Sequence, residues 1–333
     1  MREEGLVLGI ETSCDETSAS LVRGGREVLS CVIASQMEEH RAYGGVVPEI
    51  ASRRHVEAIV PVVGQAMQGR GFDVLSGIAV TAGPGLVGAL LVGLSFAKAL
   101  SWSTGVPFIS INHIEGHIYA NFLERPGLEP PFLCLTVSGG HTDFTVIEGH
   151  GRYRRLGHTR DDAAGEAFDK VARSLGLPYP GGPNLEKLAM KGDPEAVRFP
   201  KIAVRDNPLD VSFSGIKTAA VRLAMVAADD AQRADIAAGF QRAAVEALAE
   251  RAALALEATG LGKLAVSGGV AANRTLRARM EKLCSERSVE LIIPQAIYCT
   301  DNAAMIASAG YFRLIEGRTS PLDANADPSW KAI

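Results

Sequence analysis

The sequence predicts an α/β fold that is built twice, and three observations lead there. Short β-branched and apolar runs alternate with longer helical patterns, as in sheets covered by helices. Residues 124–131, with three prolines and Gly127, interrupt that pattern as a linker. Behind them the order of elements restarts. Gly9-Ile10-Glu11-Thr12-Ser13 then aligns with Thr136-Val137-Ser138-Gly139-Gly140, an internal spacing of about 127 residues.

Taken in order, residues 6–12 form a strand, Cys14-Asp15-Glu16 a turn, and 18–22 the returning strand. Gly24-Gly25 turns into a third strand, 27–34, and 41–47 is a loop. Pro48 suits a first helical position, so a helix runs from there to about 68. Strand 77–81, the turn Gly83-Pro84-Gly85-Leu86, a helix ending near 104 and strand 106–111 follow. Asn112 stands where an N-cap belongs and Glu115 three residues later, a capping-box pattern that starts a helix. The second half repeats the hairpin at 132–137, 142–148 and 153–158. A helix at 162–175, an insertion at 178–210, helices at 215–228 and 231–259, strand 263–266, helix 273–286 and strand 289–294 come next. Asp301-Asn302 opens the last long helix. The expected domains are a first lobe over 1–124 and a second over 132–333. Glycine-rich turns cluster at strand ends, where ligands of such sheets sit.

The 333 residues, 47% hydrophobic and 22% charged, suffice for two domains of ordinary size. Net charge is −4, without the overall basic excess of a protein that binds nucleic acid by its own field. The excess is local: residues 151–222 hold 13 Lys and Arg against 9 Asp and Glu, leaving −8 elsewhere. Five cysteines without a CxxC fit reduced cytosolic chemistry rather than a disulfide framework or zinc ribbon. Met1-Arg2-Glu3-Glu4 is too charged to begin a signal peptide. The longest uncharged stretch, 80–97, contains Gly83-Pro84-Gly85 and Gly88, and reads as strand, turn and buried helix rather than a membrane span.

His113 and His117 are four residues apart, so a helix places them about 40° apart on one face, where two imidazoles can share a metal ion. A helix start also favours the neutral imidazole that binds metal. Two polar residues on a solvated face would look the same. A zinc protease needs an acid directly after the first histidine; Ile114 stands there. Ser138-Gly139-Gly140 and Ser267-Gly268-Gly269, at corresponding strand ends, can bring backbone N–H groups to phosphate, and plain tight turns are the alternative. Glu11, Asp15 and Glu16 crowd one turn and could hold metal, orient water or act as base. Asp161 and Asp162 suit a helix start, Asp169 could pair with Arg173, and Asp301 could be an N-cap.

These motifs carry a resemblance. The duplicated pattern resembles the actin, heat-shock chaperone and sugar-kinase (ASKHA) superfamily. Gly9-Ile10-Glu11-Thr12-Ser13-Cys14-Asp15-Glu16-Thr17, His113-Ile114-Glu115-Gly116-His117, Val137-Ser138-Gly139-Gly140-His141-Thr142, Phe213-Ser214-Gly215-Ile216-Lys217-Thr218 and residues 266–273 occur in order. Together they resemble the tRNA N6-adenosine threonylcarbamoyltransferase family (TsaD, formerly called Gcp or YgjD), over essentially the whole chain. Thr136 stands where archaeal and eukaryotic relatives place a metal-reaching tyrosine, so the resemblance is to the bacterial branch. The older endopeptidase label of that family conflicts with the missing protease acid.

The resemblance implies transfer of threonylcarbamoyl from threonylcarbamoyl-adenylate to the N6 amine of adenosine 37 in tRNAs reading ANN codons, with AMP leaving. It implies His113, His117 and Asp301 as ligands of one divalent metal ion per subunit, iron by family and zinc as the other candidate. It implies Thr136, Val137, Ser138, Gly139, Gly140, Asp169, Gly182 and Asn273 as adenylate contacts. Glu186 shares a loop with Gly182 and receives no role. Asp15 or Glu16 is the candidate base, and Arg154, Arg155 and Lys217, within the basic middle that also holds Arg152, are the candidate tRNA contacts. Bacterial relatives imply TsaB-type and TsaE-type partner proteins, the enzyme that makes the adenylate, a cytoplasmic location and no membrane. An ATPase or kinase of the same superfamily, or a non-catalytic tRNA-modification scaffold, is the alternative.

Overall fold

The computed structural model describes residues 4–202, 204 and 206–331. The charged start at Met1-Arg2-Glu3, and Ala203 and Arg205 of the insertion, lie outside the described residues. The chain forms two compact units, residues 1–129 with 294–333, and residues 130–293. The first opens with β1 (Leu6–Glu11), β2 (Glu16–Arg23), β3 (Glu27–Ser35), α1 (Met37–Arg41), α2 (Pro48–Met67), β4 (Gly77–Gly83), α3 (Val87–Thr104), β5 (Phe108–Asn112) and α4 (His113–Glu124). The second comprises β6 (Phe132–Val137), β7 (Thr142–Gly149), β8 (Arg152–His158), α5 (Ala164–Ser174), α6 (Gly181–Ala189), α7 (Ser214–Val226), α8 (Asp230–Thr259), β9 (Lys263–Ser267), α9 (Arg274–Arg287) and β10 (Glu290–Ile292). The chain then returns to the first unit as α10 (Ala296–Cys299) and α11 (Ala303–Ile315).

The two sheets repeat one topology. Their orders are β3-β2-β1-β4-β5 and β10-β9-β6-β7-β8. In each, the opening strand pairs antiparallel with its hairpin partner and parallel with the strand returning from a helical crossover. β1 and β6 therefore occupy the middle and are buried on both faces, which their apolar runs LVLGIE and FLCLTV permit. The duplicated α/β fold of the sequence reading is observed.

One boundary differs. The second lobe was expected to run to 333, but residues 294–333 belong to the first unit. The reason is a seat of small residues. A Cβ on Gly9 of β1 would lie 2.1 Å from the Ala303 carbonyl oxygen, and one on Gly310 would lie 2.3 Å from Ala79 Cβ. Backbone thus meets backbone, and α11 lies directly on β1 and β4. Met305, Ile306 and Leu314 are buried, each stabilising by about 1.5–3 kcal/mol relative to exposure. Helical periodicity shows that a helix has an apolar face but not which sheet receives it.

Two short helices go beyond the sequence reading: α1 falls almost wholly in 35–40, which the sequence assigns to no element, and α6 within the insertion. α3 is long and apolar enough to cross a membrane. Its Ala89, Leu90, Gly93, Leu94 and Ala97 are nevertheless buried against the first unit, and Thr12 Oγ1 donates to the Ala89 carbonyl at 2.9 Å.

Candidate functional site

α4 starts directly after β5 because Asn112 caps it. The Asn112 Oδ1 accepts from the N–H groups of Ile114 (2.9 Å) and Glu115 (3.3 Å). The reciprocal half of the capping box does not form in that way. Glu115 is fully buried beside α11, where its charge requires a partner, and its carboxylate binds the Arg313 guanidinium.

His113 and His117 share one face of α4, their ring centroids 4.7 Å apart. Asp301 precedes α11, and its Oδ1 lies 3.3 Å from His113 Nε2 and 3.5 Å from His117 Nε2. Asp301 is not the helix cap: that is Asn302, whose side chain accepts from Met305 N–H at 3.0 Å. Its carboxylate is free for the histidines. All three residues lie in the first unit, not one group in each half as the repeat suggested, because the chain returns there.

The donor set fits a metal ion. One ligand atom from each residue falls within a 4.8 Å cluster. Two bonds of about 2.1 Å at about 105° would separate their donor atoms by about 3.3 Å, the scale observed. Both ring nitrogens of His117 are buried without a hydrogen-bond partner, an arrangement that is costly unless something ligates them. Two imidazoles and one carboxylate suit iron, zinc and manganese alike.

Glu11 is the support that sequence reasoning left undetermined. Fully buried at the end of β1, it accepts from Ser13 N–H (2.5 Å), Thr81 Oγ1 (2.6 Å) and His113 Nδ1 (3.0 Å). That contact directs His113 Nε2 toward Asp301. Burial pulls the His113 pKa down, but Asp301 and Glu11 outweigh it and carry it well above the ordinary value, so proton and metal compete for Nε2. Burial lowers the pKa of His117 and keeps it neutral. Burial opposes ionisation of Asp301, yet His113 and His117 draw its pKa below the usual range. Asp15 and Glu16 stand in the same turn. Burial and the charges of Asp301 and Asp15 push Glu16 up to about 9, and its Oε1 accepts from Ser35 Oγ at 3.2 Å.

The second unit gathers the glycine turns. The Ser138 N–H donates to the His141 carbonyl (2.8 Å), and His141 N–H to Ser138 Oγ (3.1 Å), closing the turn after β6. Thr136 Oγ1 lies 3.4 Å from Ser267 Oγ on the adjacent β9. Gly268 has φ +91, and a Cβ there would lie 2.3 Å from the Val137 carbonyl oxygen, so the two turns abut. Gly165 N–H donates to the Ser138 carbonyl at 3.1 Å, bringing the start of α5 to the same edge. A Cβ at Gly139, Gly140 or Gly182 would meet nothing within 4 Å, so these backbones border open space.

Asp169 and Asn273 have local work. Asp169 Oδ1 accepts from Gly182 N–H at 3.0 Å, at the start of α6. Asn273 caps α9 through Leu276 N–H (2.9 Å) and donates Nδ2 to Gln241 Oε1 (2.8 Å). Glu186, left without a role, accepts from Arg274 N–H at 2.6 Å, tying α6 to the start of α9. An acid 88 residues away in the chain offers no sequence signal for that bond. The expected tRNA cations all have acidic neighbours: Arg154 with Glu148 (2.8 Å), Arg155 with Asp143 (3.9 Å) and Lys217 with Asp162. Asp161 accepts from Phe213 N–H (2.8 Å) and Ser214 N–H (3.2 Å) at the start of α7.

Residues 27–308 match the family model of the tRNA N6-adenosine threonylcarbamoyltransferases, TsaD. The protein of that name from Symbiobacterium thermophilum is 56% identical over 329 residues, 98% of this chain and 96% of its own. That from Clostridium botulinum (strain 657) is 52% identical over 336 residues, 99% of each chain. Among solved structures, T. kodakarensis HypF superposes with a TM-score of 0.66 at 15% identity, over 94% of this chain and 48% of that longer one, a likeness of fold alone. The chain belongs to the tRNA N6-adenosine threonylcarbamoyltransferase family.

Proposed function

We propose that this chain transfers threonylcarbamoyl from threonylcarbamoyl-adenylate to the N6 amine of adenosine 37 in tRNAs reading ANN codons. One observation carries the metal-assisted form of this reading. His113, His117 and Asp301 converge with the His117 nitrogens unbonded, in a chain of the threonylcarbamoyltransferase family. These three residues would hold one divalent ion per subunit, iron by family and zinc as the other candidate. Bound there, the ion supplies Lewis acidity toward the carbamoyl carbonyl or the phosphate.

The rest falls to the protein. The turn Thr136, Val137, Ser138, Gly139 and Gly140, with Asp169, Gly182 and Asn273, would hold the adenylate; the open backbone at the glycines supports this. The N6 amine forms a bond to the carbamoyl carbon, the carbon–oxygen bond to phosphate breaks, and AMP leaves with the electron pair. The amine proton passes to Asp15; Glu16, the other candidate, is pushed up to about 9 and holds its own proton at neutral pH. Arg154, Arg155 and Lys217 would meet the tRNA backbone, each giving up its acidic neighbour. The modest basic excess of 151–222 leaves room for TsaB-type and TsaE-type partner proteins, and a tRNA substrate places the reaction in the cytoplasm. An ATPase has no support beyond the shared fold.

The test is the purified protein with these partners, synthetic threonylcarbamoyl-adenylate and tRNA, followed by nucleoside analysis. Threonylcarbamoyladenosine at position 37 with matching AMP is expected. AMP release equal with and without tRNA, and no modified nucleoside, would refute the reading.

A further inference from the structure

Residues 319–331 form no helix or strand, yet they are held from end to end. Ser320 N–H donates to the Phe108 carbonyl (2.9 Å), and Ser320 Oγ accepts from Ser110 N–H (2.9 Å). The segment thereby covers the outer edge of β5. It then crosses the ends of β4 and β5. Asp327 N–H donates to the Ala82 carbonyl (2.8 Å), and the Pro328 carbonyl accepts from Gly85 N–H (3.2 Å). Gly83 lies so close beneath it that a Cβ would sit 1.8 Å from the Asp327 carbonyl oxygen. The Trp330 carbonyl accepts from Asn112 Nδ2 at 3.0 Å. The Trp330 ring faces the Arg313 guanidinium at 5.9 Å, and Arg313 is the partner of Glu115 on α4.

Two paths lead from this segment to His113. Asn112 uses its amide oxygen to cap α4 and its amide nitrogen to bind Trp330, and the next residue is His113. Through the turn after β4, Leu86 N–H donates to the Ser13 carbonyl (2.8 Å), and Ser13 Oγ lies 3.2 Å from His113 Nδ1. Covering the edge of β5 would need only the Ser320 contacts, and capping α4 only the amide oxygen. The contacts of Asp327, Pro328 and Trp330 are extra: the first two hold the end of β4 and the turn after it, and the third holds Asn112, the cap of α4.

We propose that residues 326–331 are a positioning element for His113, acting through Asn112 and Ser13 without touching substrate. This rests on the metal reading of His113, His117 and Asp301. Zinc(II) titration against a competing chelator tests it, with full-length protein, Asn112→Ser, and a chain lacking residues 326–333. Serine caps a helix as well as asparagine does but lacks the second donor. Asn112→Ser is expected to weaken zinc binding about ten-fold or more, within the range for groups that orient metal ligands. The deletion, which cuts both paths, should weaken it at least as much, and the two together no more than the deletion alone, because the deletion already removes the link that Asn112→Ser cuts. His117→Ala shows that the titration reads this centre.

Amide hydrogen exchange is the second readout. Exchange at Ile114 and Glu115 should quicken in Asn112→Ser while amides of β1 and β4 keep their protection. Wild-type zinc affinity and wild-type exchange in Asn112→Ser overturn the proposal, as does a deletion that lowers the melting temperature and leaves zinc affinity intact. Zinc binding by wild type no better than by His117→Ala would sink the metal reading. Exchange then decides alone: quickening confined to 113–117 upholds the bracing, and no change overturns it. Should the shortened chain fail to fold, Asn112→Ser decides.

Discussion

Glu11→Gln separates the shape of the Glu11 side chain from its charge. The carboxylate accepts three hydrogen bonds and donates none. Glutamine has the same outline, but one acceptor becomes an NH2 donor. If that NH2 takes the Oε1 place, it confronts Ser13 N–H, donor against donor. If it takes the Oε2 place, Thr81 can rotate its hydroxyl to accept. His113 must then present Nδ1 as acceptor and carry its proton on Nε2, which removes the lone pair facing Asp301. In either case at least one hydrogen bond to a charged group is lost, a cost of about 1.5–3 kcal/mol. The second arrangement also weakens metal binding, by about 10–100-fold for a group that orients a ligand. Denaturant unfolding, zinc competition and nitrogen chemical shifts of His113 measure the three consequences. A variant with wild-type zinc affinity whose His113 carries its proton on Nε2 would refute the orienting role. So would one that loses zinc while His113 keeps its proton on Nδ1.

Asp301→Asn should lose metal while α11 keeps its cap, read as unchanged amide exchange at Met305. Asn302→Ala should keep metal and lose about 1 kcal/mol, because Asn302 is the cap; the opposite pattern would return the cap to Asp301. His55 donates Nε2–H to the Cys14 carbonyl (2.9 Å) and accepts at Nδ1 from Thr17 Oγ1 (2.8 Å), so both nitrogens serve the neutral ring. Burial lowers its pKa, against the pull of Cys14, Glu11 and Asp15. The unfolded chain takes up that proton near pH 6.5 and the folded chain resists it, so this contribution is intact above about pH 6.5 and falls below it. The stability difference between wild type and His55→Asn should shrink from about pH 7.5 to about pH 5.5, and a constant difference would exclude this account. Reversing Arg154 and Arg155 to Glu should raise the KM for tRNA more than that for the adenylate, with a shallower salt dependence. Equal effects on both substrates at every salt concentration would count against a tRNA face there.

What was legible in the sequence is what local chemistry determines. The i, i+4 spacing placed His113 and His117 on one helix face, and Asn112 capped that helix as expected. The alignment of Gly9 with Thr136 carried the duplication, because both sheets are laid down in one strand order. Partners distant in the chain were not legible. Glu115 looked like half of a capping box, but Arg313, 198 residues away, takes its carboxylate. Asp301 and Asn302 are both good caps, and only the fold shows that Asn302 serves. Thr81 carries no motif, yet it donates a hydrogen bond to Glu11 from 70 residues away.

The seat of α11 on β1 has a consequence for synthesis. Residues 130–293 form a contiguous unit and can fold as soon as they leave the ribosome, whereas residues 1–129 must wait for α11. At about 5–20 residues per second, the interval from residue 129 to residue 303 lasts about 10–35 s. For that time one face of β1 and β4 is bare in a nascent chain. Gly9 and Ala79 line the seat that waits, so its centre offers little apolar area to a stray hydrophobic segment. The small residues that let α11 approach so closely thus also reduce the hazard of its late arrival. Asp301 emerges just before α11, so under the proposed metal reading a truncated or stalled chain lacks one of the three residues that would hold the ion.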